Sequence, residues 1–178
     1  MDRTIGAQLI RPDRPIYTRS GWEIPQVTKL PRDIKLNAIR AQAMKVWRRN
    51  PILRSTSNYP YNCVGMIFAS RRALIEITHI YDILTNDYYK KVSRDEVMAG
   101  DVVLYKLDSD VTHVGLVIRA ELVHPTSRTL DITMLSKWGE EGEYIHYVED
   151  VPKSYGEAVE YYTDRLYEQG THEIIATI

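Results

Sequence analysis

Tyr59-Pro60-Tyr61-Asn62-Cys63-Val64-Gly65-Met66-Ile67-Phe68-Ala69-Ser70 contains the only cysteine of the chain. Pro60 restrains the lead-in to extended backbone, and Val64, Ile67 and Phe68 then recur at helical spacing, so the run predicts a helix with Cys63 in its first turn. Unpaired backbone N–H groups and the positive end of the helix dipole favour a thiolate there, and the thiolate is the nucleophilic form. A solitary cysteine is also a small apolar side chain that packs well. The rest of the chain must separate chemistry from packing.

Downstream, the pattern changes from helical to extended. Ile77, Ile80, Tyr81 and Leu84 predict a second helix within 75–89. Val102-Val103-Leu104-Tyr105 is short, apolar and β-branched, bounded by Gly100-Asp101 and by a turn over Leu107–Asp110. Val111–Ile118 reads as the next strand, His124–Arg128 as a turn and Leu130–Ser136 as the returning strand. A short strand over Tyr144–Val148 follows the loop Gly139–Gly142. Tyr155, Ala158, Val159, Tyr162 and Leu166 then fall at helical spacing and predict an amphipathic helix, with a last edge strand over Glu173–Ile178.

Upstream, prolines at 12, 15, 25 and 31 forbid a regular helix, so residues 1–32 read as an extended arm. Asp33 then caps a helix whose face is Leu36, Ile39, Ala43, Val46 and Trp47 and which ends near Asn50-Pro51. The expected class is α+β: residues 33–178 as one domain, with N-terminal helices packed on a small antiparallel sheet.

Composition narrows the function. The chain has 178 residues, and 23 Lys and Arg against 24 Asp and Glu give a net charge of −1. No global positive field exists to attract nucleic acid or an anionic membrane. The N-terminus lacks the apolar core of a signal peptide and no segment is long and apolar enough to cross a bilayer, so the expected location is cytoplasmic.

The blocks Tyr61-Asn62-Cys63-Val64-Gly65, Gly100-Asp101-Val102-Val103 and His113-Val114-Gly115-Leu116-Val117, in that order, resemble the signatures of the NlpC-type cysteine peptidases and the related CHAP amidases. The likeness covers about residues 58–137, and Ser136-Lys137-Trp138-Gly139 with Gly142-Glu143-Tyr144-Ile145-His146 resembles a recurrent tail of that superfamily. It implies a papain-like fold and a hydrolase that cuts a peptide or amide bond through a thioester. Cys63 is then the nucleophile, His113 the base, and a third polar group orients the histidine. That family commonly has aspartate before the cysteine and serine after it, where this chain has Asn62 and Val64.

The chemistry is sound without the family. A cysteine nucleophile needs an imidazole within hydrogen-bond reach, and a helix start facing a strand holds both. A hairpin turning at His124–Arg128 puts Ser136 or Lys137 opposite His113, making Ser136 the third group; a tighter hairpin brings His124 to His113 instead. Tyr61 and Asn62, beside the sulfur, Trp138 as a wall and His146 on the rim of the groove are the expected substrate contacts. No cofactor is called for. Zinc at His113, His124 and His146 has a poor spacing signal, since no His-Glu-x-x-His helix and no paired cysteines accompany them. The partner expected is a peptide or amide. An acyltransferase using the same pair and a decayed, purely binding module are the alternatives.

Overall fold

Val102 and Leu104 join one apolar cluster while Val103 and Tyr105 join another, and all four are buried. A strand with core on both sides must read as a continuous apolar run, because successive side chains point to opposite faces. The structure, a computed structural model, describes residues 14–27, 49–56, 61–139 and 141–165. The expected helix after Asp33 (but for its last two residues) and the edge strand over 173–178 lie outside these.

Among the described residues, seven strands form one antiparallel sheet: β1 (Ile52–Thr56), β2 (Lys90–Val92), β3 (Val102–Leu107), β4 (Asp110–Leu122), β5 (Leu130–Lys137), β6 (Gly142–Tyr147) and β7 (Glu157–Thr163), in the order β1-β6-β5-β4-β3-β7-β2. The meander from β3 to β6 follows the expected succession of strands. Two short helices, α1 (Cys63–Phe68) and α2 (Ile80–Asn86), cover one face. There Val64, Ala69, Ile75, Ile80, Ile83 and Leu84 pack on Val102, Leu104 and Val114. The other face buries Val103, Tyr105, Val117, Ile132 and Met134 with Val97, Val148 and Tyr161.

This architecture overturns the expected papain-like α+β domain of helices packed on a small sheet. Among the described residues the α-helices have six and seven residues, and the sheet dominates. The decisive misreading is 155–166, where residues 157–163 form β7 rather than part of an amphipathic helix. The helical spacing of apolar residues coexists with strand-forming Val159, Tyr161, Tyr162 and Thr163, and the free edge of β3 settles the matter. Val102 pairs with Tyr162 and Val103 with Tyr161, so Tyr161 packs on one core and Tyr162 on the other. The second helix is also shorter than expected, a 3-10 turn at Ile77–His79 leading into α2.

The described part of the proline-rich arm is a small hairpin, with a bridge between Tyr17 and Glu23 and Gly21 at φ +86. Ile16 and Ile24 enter the core beneath the helices, and the Ser20 N–H donates to the Asn86 carbonyl at the end of α2 (3.1 Å). Among the described residues no helix is long and apolar enough to cross a membrane.

Candidate active site

Cys63 opens α1 as expected, and each residue of the block around it has a local reason. Asn62 is the N-cap: its Oδ1 accepts from the Gly65 N–H (3.0 Å) and the Ile75 N–H (3.3 Å), and its Nδ2 donates to the Ile75 carbonyl (2.6 Å). The side chain is committed to backbone rather than to a substrate contact. At Gly65 a Cβ would stand 1.8 Å from the Ala73 carbonyl oxygen, so only glycine lets the following turn fold back onto α1. Val64 is core.

Cys63 is half-buried and its sulfur lies against β4 at Val114, whose side chain packs beneath α1, whereas that of the preceding His113 pairs with Tyr105 on the other face of the sheet. Burial pushes the Cys63 thiol up; the backbone N–H groups of Val114 and Val64 and the charge of Lys137 act in the opposite sense without cancelling it. The thiolate expected from the helix start is therefore not the resting form.

His113 is 1% exposed, and its Nε2 has no hydrogen-bond partner among the described residues. An orphaned buried ring nitrogen is uncommon and calls for a reason. The imidazole stacks on Tyr155 (centroids 4.0 Å apart, planes 9°) and leans on Tyr105 (5.5 Å). Burial, helped by the nearby His146, pushes its pKa down to about 3, so the ring is neutral. Tyr155 is held in place by the Thr112 hydroxyl, which donates to its carbonyl (2.6 Å). Its own hydroxyl is pushed up by burial and then by the charge of Cys63, so the ring that touches the imidazole is within charge range of the sulfur.

The expected third groups are placed differently. β4 and β5 close at Leu122–Leu130, and a bulge between Val117 and Arg119 then sets Leu116 against Leu135. Ser136 consequently falls beside Gly115, its Cβ 3.4 Å from where a Gly115 Cβ would be, rather than opposite His113. Its hydroxyl is committed: it accepts from Trp138 Nε1 (2.9 Å) and shares 2.7 Å with His146 Nε2. His146 Nδ1 sits 2.7 Å from the Tyr147 carbonyl, which can only accept. The chain of bonds therefore runs in one direction, Trp138 to Ser136 to His146 to Tyr147. Burial pushes His146 down to about 3, with Asp150 acting the other way.

His146 is thus a buried β6 residue rather than a rim residue, and Trp138, 3% exposed and stacked on Tyr144 at 4.3 Å, is core rather than a substrate wall. His124 lies on the exposed turn after β4, its Nδ1 2.8 Å from the Thr126 hydroxyl, and does not reach His113. The strand between them spans roughly 30 Å.

Tyr61 is buried, and its hydroxyl donates to Glu143 Oε1 (2.8 Å). Sequence reading misses what this leads to. Glu143, fully buried on β6, also accepts Arg71 Nε (2.5 Å) and Nη2 (3.1 Å) and Arg54 Nη1 (2.5 Å). Burial alone would raise Glu143, but the bonds from Arg71 and Tyr61 hold it below the usual carboxylate range. Neither the His113–Tyr155 stack nor this cluster has a local signal, because both are assembled across more than forty residues of chain. Among the described residues no three His, Cys, Asp or Glu side chains gather as a metal site. Comparison of the chain with protein-family models, curated proteins and solved structures finds no match in any of them.

Proposed function

We propose that the protein is a cysteine hydrolase of peptide or amide bonds, with Cys63 as nucleophile and His113 as base. The observation that carries this reading is the orphaned, buried Nε2 of His113, whose ring stacks on Tyr155, a side chain within charge range of the Cys63 sulfur. The likeness of the Cys63 and His113 blocks to the NlpC-type signatures supports the same chemistry.

Because burial raises the thiol and lowers the imidazole, the resting pair is S–H and neutral ring. Sulfur attacks the carbonyl carbon while its proton passes to Nε2. The imidazolium returns that proton to the departing amine as the C–N bond breaks, leaving a thioester. Water, losing a proton to Nε2, then attacks the thioester carbonyl; the C–S bond breaks, the acid is released and Nε2 returns the proton to the sulfur, while an amine in place of water makes the same enzyme an acyltransferase. Tyr155 fixes the plane of the ring by stacking.

The test uses acetylated amino-acid p-nitrophenyl esters, whose leaving group needs no assistance. Mass spectrometry should find a hydroxylamine-sensitive acyl group on Cys63, absent from Cys63→Ala and formed about 10²-fold or more slowly in His113→Ala. Acylation no faster than in the urea-unfolded chain, or equal rates in His113→Ala, refutes it. That result favours the second reading, a binding module, for which the commitment of Ser136 and Asn62 to structural bonds speaks.

A further inference from the structure

The cluster around Glu143 brackets the helix that carries Cys63. Tyr61 precedes the cysteine by two residues, and Arg71 stands in the turn after α1, where Ser70 and Arg71 both take left-handed backbone at φ 47 and 65. Arg54 comes in from β1. Tyr61 before this six-residue helix and Arg71 after it meet on one carboxylate, so the cluster lies alongside α1.

Glu143 is saturated. A carboxylate offers about four acceptor positions. Arg71 Nε, Arg71 Nη2, Arg54 Nη1 and the Tyr61 hydroxyl take them. The carboxylate therefore has nothing left for a substrate amine. What remains available on this cluster, among the described residues, are donors: Arg54 Nε and Nη2 and Arg71 Nη1, on side chains 49% and 39% exposed. Two guanidinium groups share one carboxylate, so the cluster carries a net positive charge. Arg71 alone, with Tyr61, already satisfies both oxygens of Glu143, so Arg54 is not needed to bury it.

We infer that Arg54 and Arg71, oriented by Glu143, bind a carboxylate on the substrate. The inference rests on the hydrolase reading and names its substrate class: acidic peptides or amides rather than those with a free amine at that position. Planar guanidinium donors held in a fixed plane by a buried carboxylate match a carboxylate on the ligand, and their pre-orientation lowers the entropy lost on binding.

The experiment compares alkylation of Cys63 by two maleimides, one with a six-carbon arm ending in carboxylate and the same arm ending in a neutral methylamide. In the folded protein at low salt the carboxylate reagent should react faster than its neutral partner by about two- to fivefold more than in the urea-unfolded chain, the worth of one half-exposed ion pair. The preference should vanish in Arg54→Gln, which keeps Glu143 satisfied by Arg71 and Tyr61, and shrink in roughly 0.5 M salt, where the Debye length is about 4 Å. Equal rates for the two reagents, an unchanged preference in Arg54→Gln, or a Cys63 inert to both overturns it. Equal rates with His113-dependent acylation remove only the carboxylate site; a carboxylate preference without such acylation removes only the hydrolase.

Discussion

Lowering the pH from about 7.5 to about 5.0 should cost this protein about 4 kcal/mol of stability, and the loss should trace to His113 and His146. Both are nearly fully buried, at 1% and 3% exposure, and both are pushed from 6.5 down to about 3. At pH 5 the unfolded chain binds a proton at each imidazole while the folded one does not, so stability rises with pH across this window and is lost on acidification from about 6.5 toward 3. For one such group the difference between the two pH values is about 2 kcal/mol. Repulsion between the two rings does not enter, since neither is charged in the folded state there. Glu143 and Glu160 are held low as well, but carboxylates are largely ionised in both states down to about pH 5, so their contribution falls below the window. Urea unfolding at both pH values is the assay. Against a total of roughly 5–15 kcal/mol, a loss of this size is easily resolved. His113→Gln and His146→Gln should each halve the pH dependence and the double variant should remove it. A wild-type loss under about 1 kcal/mol, or a single variant with the whole wild-type dependence, refutes the reasoning.

Gly65→Ala should destabilise by about 3 kcal/mol, because the added methyl meets the Ala73 carbonyl oxygen at 1.8 Å and backbone cannot step aside cheaply; urea midpoints measure it. Asn62→Ala should cost about 2 kcal/mol, the upper end for an N-cap, since Ile75 loses both of its bonds to the side chain along with the cap to Gly65; the cost should be the same at neutral and mildly acidic pH, because no titrating group takes part.

The parts of the site legible in the sequence are those decided within a few residues. Proline before Cys63 and the apolar spacing after it locate the start of α1, and turn residues punctuate the meander from β3 to β6. The face-to-face arrangement is not legible. The hairpin count assigns Ser136 to His113, but the position of closure and one bulge in β4 move it to Gly115. His146 reads as a residue on the rim of the groove, yet β6 places its ring between Ser136 and the Tyr147 carbonyl.

Local information thus suffices for the helix start at Cys63, the strand that begins at Val102 and the central part of the strand bearing His113, because backbone preference and the period of apolar residues act over one turn or one strand. Residues 157–163 are the opposite case. Their apolar spacing suits a helix, and it is the open edge of β3 that takes the segment as β7. The meeting of Glu143 with Arg54 and Arg71, and the burial of His113 against Tyr155, likewise depend on the assembled fold. Those contacts join residues far apart in the chain, and their energy depends on burial and register, which exist only once the sheet has closed.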